Sequence, residues 1–579
     1  MDVMSQWLVL SGRVVYPLFL LAGLFFSSFY SQATERQITP AERTLERQQQ
    51  LDLLQQQADK LKQLQDLPQP VVSEPIVTED SNAQCFSINH IELDGASLLS
   101  TAEQATLLSP WLNTCVGIAQ INQLVKTITN HYIEAGYVTS RAYIPQQNLS
   151  DGHLFIQVIE GRVESFQPLP GSGLVDSELA MAFPGLKGDY LNLRALEQGI
   201  DQMNRLPSNQ AQLKLQPGSK PGETVVGIDN QPSKPWRVSL GYHNNGSEST
   251  GDRQWQGSVE WDNPLQLNDQ LRINLAKDAI TDQYRQSRSS SLSYRLPYGY
   301  WTFNYDFSYS DYETRNESNG FPFDSDGDTR NHTATVSRLL HRDQAGKTSA
   351  SLSVRHTRTR NFIEDSRIDV SSYQLSELSL GLNHGRRLWR GLLNLDIAAQ
   401  RGMPWFDAVD THNPTAGQPV AQHEKYTATI SYLLPFTLWD NSFTFNSLAT
   451  GQKSADVLYG PMRFTAGGLG SVRGFREQSL SGDSGGYWRN DLSWRTPVTF
   501  QGINTLFQQF TATLAYDVGV ITRDQFNPER HGRLSSKALA FSLAGEHLSI
   551  STTIAESLSR PDSLPDKEYP VWFQVNLSM

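Results

Sequence analysis

Several segments of this chain carry residue types at spacings that could support chemistry. Gly482-Asp483-Ser484-Gly485-Gly486 matches the pentapeptide around a serine-protease nucleophile. Such a serine needs a histidine to take its proton and an acid to orient that histidine. No histidine lies between His423 and His531, and no Ala-Ala-His-Cys segment is present, so a glycine-centred turn is the better reading. Gly346-Lys347-Thr348 looks like the end of a phosphate-binding loop, but His341 stands where the loop needs its first glycine; without that backbone cradle a turn is expected. Asp324, Asp326 and Asp328 have the spacing of a calcium loop, yet Thr329 and Thr335 replace the required glycine and glutamate, which leaves a solvated polar loop. The 12 histidines and two cysteines show no metal-ligand spacing, and no cofactor is expected.

The segment Gly467-Gly468-Leu469-Gly470-Ser471-Val472-Arg473-Gly474-Phe475 is different. Four glycines let a backbone fold tightly in a crowded space, and the permanent charge of Arg473 needs a partner wherever it is enclosed. About 40 residues on, Ala515-Tyr516-Asp517-Val518-Gly519 sets an acid in a strand whose neighbours Leu514, Tyr516 and Val518 can face outward. Asp517 then faces inward, and the expected arrangement pairs Arg473 on an inward-folded loop, near residues 460–490, with Asp517 on the wall around it.

The elements that must hold such a pair follow from periodicity. From Trp236 to Met579 apolar and polar residues alternate with period 2, and glycine- and asparagine-rich breaks interrupt them, which is the signature of strands. Trp255, Gly257, Val259 and Trp261 share one face; Trp301, Phe303, Tyr305, Phe307 and Tyr309 share another. Short connections such as Pro297-Tyr298-Gly299 alternate with long polar ones such as 313–331, and the chain finishes on the alternating strand Val571 to Met579. A transmembrane barrel over residues 231–579, with about 16 strands of roughly ten residues, accounts for this pattern. Such a lumen is wide enough for water, so something must occupy it.

Ahead of the barrel, residues 1–33 carry an apolar run from Val14 to Phe29 that ends in Ser31-Gln32-Ala33, the pattern of a cleaved signal. Thr39-Pro40-Ala41-Glu42 opens a helix within residues 34–64, with Leu51, Leu54, Ala58 and Leu61 on one stripe. That helix could pair as a coiled coil or fill a polar channel. Residues 65–82, with Pro68, Pro70 and Pro75, read as a linker. Two β-α-α-β-β modules follow, over residues 83–161 and 162–230, offset by about 70 residues, with Ile118, Ile121 and Leu124 matched to Leu191, Leu193 and Leu196. In the first module the strands are expected at 86–93, 138–144 and 153–159. Cys85 and Cys115, the only cysteines, form the natural disulfide of an exported chain. The net charge of −12 argues against nucleic acid as a partner.

Taken together, these residues resemble the transporters of two-partner secretion, the haemolysin secretion/activation family of the outer-membrane protein 85 superfamily. Gly136 to Pro145 and Leu154 to Gly161 look like the family's first POTRA module, and Arg162 to Asn230 looks like a second, less typical copy. Val472-Arg473-Gly474-Phe475 matches the motif at the tip of the family's sixth extracellular loop, which folds back into the barrel. Asp517 and Gly519 match the acid and glycine of the strand motif that meets it. Met579 departs from the terminal aromatic that barrel-assembly machinery recognises. The resemblance implies a mainly β, monomeric outer-membrane transporter, set among outer-membrane lipids. It implies that the N-terminal helix plugs the pore and that periplasmic POTRA modules receive an unfolded exoprotein: a haemolysin, an adhesin or a contact-dependent toxin. Export would proceed without ATP. A surface adhesin or receptor on a barrel scaffold and a barrel-assembly factor are the competing readings.

Overall fold

The computed structural model describes residues 40–65, 67, 85–279, 282, 284–318, 320–411, 415–524 and 531–579. The expected signal, 1–33, and the linker apart from residues 65 and 67 lie outside the described residues. The first element is helix α1 (Pro40–Gln65). Its packing face only partly follows the stripe read from the sequence: Leu61 is buried and Leu54 packs against the buried cluster of the inward-folded loop. Leu51 and Ala58 are exposed, whereas Leu45, Glu46, Gln50, Gln57, Leu61 and Leu64 are buried. The polar residues of that face meet a polar wall, so a coiled-coil seam does not form.

The first module runs β1 (Cys85–Ile88), β2 (His90–Asp94), α2 (Thr101–Leu108), β3 (Thr114–Gly117), α3 (Ile118–Glu134), β4 (Arg141–Tyr143) and β5 (His153–Ile159). One strand was expected over 86–93, but the chain kinks at Asn89. The Gly152 carbonyl accepts from both Asn89 N and His90 N at 2.8 and 3.2 Å, so β1 pairs with β3 while β2 runs parallel to β5. Over 138–144 only β4 is extended, because Ser140 N closes a turn onto the Tyr137 carbonyl at 3.1 Å. Ile88, Leu124, Ile128, Tyr132 and Ile156 are fully enclosed at the centre. The Tyr132 hydroxyl donates to Glu160 Oε1 at 2.8 Å, and burial first, then that carboxylate, pushes its pKa up. Cys85 and Cys115 are bonded across the β1–β3 pair.

The second module keeps the β-α-α-β-β order, without counterparts of the β1–β3 pair, in β6 (Arg162–Pro168), α4 (Asp176–Ala182), α5 (Leu193–Asn204), β7 (Gln212–Pro217) and β8 (Glu223–Asp229); β6 is parallel to β8 and β7 antiparallel to it. Leu191 and Leu196 are buried like Ile121 and Leu124, but Ile118 is 65% exposed and Leu193 only half-buried. Ile118 begins α3 directly after Gly117 and points away from the core, so its match to Leu191 does not hold.

The barrel follows: β9 (Trp236–His243), β10 (Gln254–Asp262), β11 (Gln270–Asp278), β12 (Arg285–Tyr298), β13 (Trp301–Ser318), β14 (Phe321–Arg342), β15 (Gly346–Ile363), the two-residue β16 (Ser366–Arg367), β17 (Tyr373–Leu388), β18 (Gly391–Met403), β19 (Glu424–Leu438) and β20 (Asn441–Ser454). A small hairpin, β21 (Phe464–Ala466) and β22 (Leu480–Gly482), precedes β23 (Gly485–Pro497), β24 (Gln509–Ile521), β25 (Gly532–Ala544), β26 (Leu548–Ser559) and β27 (Val571–Ser578). β15 pairs directly with β17, and β27 closes on β9, which makes a barrel of 16 spanning strands with no open edge. Its outward face carries exposed apolar residues such as Trp255, Val259, Leu380 and Leu514, as lipid requires; inward-facing Asn394, Ser431 and Asp517 are buried and polar. Among the described residues no helix is long and apolar enough to cross a membrane.

Two connections differ from expectation. Over 313–318 and 321–331 the chain is not a loop: β13 and β14 continue as polar strands, tied to each other by Arg315 Nε donating to Asp324 Oδ1 at 2.6 Å, while Arg360 Nη2 on Asp328 at 2.7 Å ties β14 to β15. Polar residues outside the bilayer can still pair as a ladder, because backbone hydrogen bonding does not depend on side-chain polarity. Gly346-Lys347-Thr348 opens β15 rather than forming a turn.

Candidate functional site: the lumenal loop, the plug and the docked module

Between β20 and β23 the chain folds into the barrel. Hairpin β21–β22 carries a tip at 467–479 in which Gly467 and Gly468 adopt φ of 124° and 105°, conformations that side chains resist. Gly468 N donates to the Phe475 carbonyl at 2.8 Å, and the Ser471 hydroxyl accepts from Gly467 N at 3.0 Å and donates to its carbonyl at 2.9 Å. The space is as tight as the glycines suggest: a Cβ at Gly470 would stand 2.6 Å from Gln50 Cβ, and one at Gly474 would stand 2.5 Å from Ser536 Cβ. Val472 and Phe475 are fully buried with Leu480, Tyr487 and Leu534.

The structure brings Arg473 onto Asp517. Arg473 Nε donates to Asp517 Oδ2 at 2.9 Å, Nη2 to Oδ1 at 2.6 Å, and the Arg473 backbone N–H to Oδ2 at 3.0 Å. The Ser536 hydroxyl adds a donor at 3.2 Å. Asp517 is completely buried and Arg473 nearly so, so the pair is dry and bidentate, the geometry in which a guanidinium holds a carboxylate best. Gly519 sits two residues on, where a Cβ would lie 2.8 Å from Val472 Cγ2 and 2.9 Å from Ala466 Cβ. A glycine there lets the loop lie flush on the wall.

Sequence reading missed the other holders of the tip. Asp491 on β23 accepts from Arg473 Nη2 at 2.6 Å, Arg489 Nη1 donates to the Leu469 carbonyl at 2.9 Å, and Trp572 Nε1 donates to the Arg473 carbonyl at 3.2 Å. The Glu568 carboxylate accepts the backbone N–H groups of Arg476, Glu477 and Gln478 at 2.5, 3.1 and 2.8 Å. The alternation Arg489, Asp491, Ser493, Arg495 did place these charges on one face, but nothing local showed which would meet the loop. Ser484 is structural: its buried hydroxyl donates to the Ser454 carbonyl and accepts from Ser454 N, both at 3.0 Å, while Asp483 Oδ1 accepts from Leu458 N at 3.0 Å. Among the described residues no cluster suits a metal.

Helix α1 lies against the same loop and the lumenal wall. Gln50 Nε2 donates to the Thr465 carbonyl at 3.0 Å, and Arg47 donates to the carbonyls of Asn245 and Arg476 at 3.2 and 3.1 Å. Further along, Gln57 Nε2 donates to Asp396 Oδ2 at 2.8 Å, and Gln57 Oε1 accepts from Asn394 and Ser431 at 2.9 Å each. Lys60 Nζ reaches Asp396 Oδ1 at 2.5 Å, and the Tyr373 hydroxyl donates to Glu42 Oε1 at 2.6 Å. Two apolar contacts accompany these bonds: Leu53 and Leu54 pack against the buried cluster of the lumenal loop, and Leu61 and Leu64, with Leu67 just beyond the helix, pack against Leu392.

The second module docks on the barrel turns at the other end of the strands from the loop's base. Gly299 N donates to the Met181 carbonyl at 2.8 Å, Gln202 Nε2 donates to the Gly299 carbonyl at 3.1 Å, and Asn268 Nδ2 donates to the Glu178 carbonyl at 2.7 Å. Asn263 Nδ2 donates to Glu178 Oε1 at 2.5 Å. Burial raises the Glu178 pKa above the usual carboxylate value, against the lowering hydrogen bonds from Val175 N and Asn263.

A closed barrel that holds a helix and its own loop in the lumen, with modules at one mouth, defines an outer-membrane pore for a macromolecule. The family model described as haemolysin secretion/activation protein ShlB/FhaC/HecB matches residues 222–543, and POTRA models match 86–161 (ShlB-type) and 162–217; the chain belongs to this family. Outer membrane transporter CdiB of Dickeya dadantii is 33% identical over 95% of this chain and 97% of its own length, and hemolysin transporter protein ShlB of Serratia marcescens is 32% identical over 82% of each. The solved structure of CdiB from Escherichia coli superposes with a TM-score of 0.89 at 32% identity, covering 94% of this chain and 100% of that one. The protein is therefore an outer-membrane transporter that secretes an exoprotein, with its POTRA modules in the periplasm.

Proposed function

We propose that the described conformation is the resting, closed conduit. Export then begins when α1 leaves the lumen toward the periplasm after the two modules engage an unfolded client. The client fits the large exported toxins: a contact-dependent toxin first, since several relatives are named CdiB, with a haemolysin or adhesin as the other forms. The observation that carries this reading is the polar character of the plug interface. Gln57, Lys60, Asp396, Asn394 and Ser431 bind one another through hydrogen bonds that water can replace, with a net value of about 0.5–1.5 kcal/mol each between neutral groups and about 1.5–3 kcal/mol where Asp396 takes part. A helix meant to stay would bury an apolar stripe. The pair of Arg473 with Asp517 keeps the loop in register on the wall, and exposed module edges offer main-chain hydrogen bonds that tolerate varied client sequences.

Two measurements test the proposal. Deleting residues 40–65 should raise single-channel conductance of the purified protein in planar bilayers; a conductance equal to that of the full chain would refute the plug. Co-expression with its exoprotein should place that protein in the medium, and deleting residues 83–230 should abolish this. Normal secretion after the deletion would end the role given to the modules.

A further inference from the structure

The C-terminal end of α1 leaves its last carbonyls without helical partners. Arg387, at the end of β17, fills that need: its Nη2 donates to the Gln65 carbonyl at 3.1 Å and also to the Leu67 carbonyl. A cation at a helix C-terminus also meets the negative end of the helix dipole. Beside it the wall is shaped to the plug, since a Cβ at Gly385 would stand 2.8 Å from Leu64 Cδ1.

Arg387 is in turn tied to the neighbouring turn. Its backbone N–H donates to the Ala345 carbonyl at 2.7 Å, Arg386 Nη1 lies 3.6 Å from Asp343 Oδ2, and Asp343 Oδ1 accepts from Ala345 N and Gly346 N at 2.7 Å each. That turn is gripped from its other side by the second module. Arg342, almost fully buried, donates through Nε to Glu197 Oε2 at 3.3 Å and through Nη1 to Asp201, and Lys347 also binds Asp201. Both acids lie on α5. A continuous run of ion pairs and hydrogen bonds therefore leads from the docked face of the second module, through residues 342–347, to the carbonyls that end the plug.

We propose that Arg387 is a positioning residue that latches the plug, and that docking of the second module through Asp201 sets the latch. Loosening α5 frees the 342–347 turn, shifts Arg387, and removes the two hydrogen bonds that hold the plug's end; module engagement is thereby converted into plug release. This inference rests on the plug reading above.

The test records open-channel frequency of the full-length protein in planar bilayers, with heat-modifiability checking that each variant forms its barrel. Arg387→Ala should raise open frequency by about tenfold, as expected for loss of hydrogen bonds from a charged donor, and Arg387→Lys should restore part of the closed state. Asp201→Asn should open the channel as well, and the double variant should open no more than the stronger single one, because both act through one latch. In a background lacking residues 40–65, Arg387→Ala should change nothing. If plug deletion raises conductance but Arg387→Ala leaves open frequency unchanged, the latch is wrong and the plug stands. If the two substitutions multiply, or if Arg387→Ala acts equally without the plug, the coupling is wrong. If plug deletion itself has no effect, the plug reading fails first.

Discussion

Substituting Arg473 by alanine tests the lumenal loop most directly. The variant removes both side-chain hydrogen bonds to Asp517 and the one to Asp491, so both carboxylates lose the guanidinium that binds them; Arg489 stands opposite Asp517 across β23 and β24, but its Nη1 is donated to the Leu469 carbonyl. Breaking a buried pair one-sidedly costs about 3–5 kcal/mol. Here the lower end applies, because Asp517 keeps the backbone N–H of residue 473 at 3.0 Å and the Ser536 hydroxyl at 3.2 Å. A cost of about 3 kcal/mol lowers the ratio of docked to undocked loop by roughly 100-fold. Asp491→Ala should cost only about 1 kcal/mol, since its side chain is 20% exposed and Arg473 retains Asp517. The assay is protease cleavage of the loop from the cell surface, in step with exoprotein secretion; Arg473→Ala should raise cleavage and lower secretion while the barrel still assembles. Removing both partners in Arg473→Ala/Asp517→Ala should recover part of the loss. Undiminished secretion with an unchanged cleavage rate, or a double variant whose cost equals the sum of the singles within about 0.5 kcal/mol, would refute the reasoning.

Two further predictions follow from the same geometry. Gly519→Ala puts a methyl group 2.8 Å from Val472 and 2.9 Å from Ala466, so loop docking should weaken by about 1–3 kcal/mol; cleavage like that of the native protein would show that the loop can shift to accept it. Glu178 holds its proton more tightly when docked, because burial raises its pKa. Its contribution to docking is complete below the ordinary glutamate pKa and declines as pH climbs through the raised value. Amide protection in α4, corrected for the intrinsic base-catalysed exchange rate, should therefore fall as pH climbs through the raised value, and Glu178→Gln should remove that fall; an unchanged pH dependence in the variant would assign it to another group.

Much of the architecture was legible because it is written in short-range pattern. Alternation such as Trp255-Gln256-Gly257-Ser258 marks a strand with one face in lipid, and Pro40 with the acid Glu42 marks where α1 starts. The loop tip was legible from composition, since four glycines around one arginine fit few environments. Residues 313–331 misled because polarity was taken as the mark of a loop, whereas a hairpin beyond the bilayer needs no apolar face. The stripe on α1 left a coiled-coil partner and a polar channel both open; the surface inside the barrel is polar, so the helix fills the channel and buries Gln57 where Leu51 stays exposed.

Which residues face lipid, which charges must face inward, and the tight fold of the loop around Arg473 all follow from period, size and charge within a few positions. Which of the inward charges meet was decided only by tertiary structure. Arg473 and Asp517 are 44 positions apart, Arg387 and Leu67 are 320 apart, and each contact depends on strand register around a closed barrel. Asp491, Glu568 and Arg387 have ordinary neighbours in the chain. Their roles arise because closure of β27 on β9 fixes the circumference of the wall, and with it the carbonyls and charges that each side chain can reach.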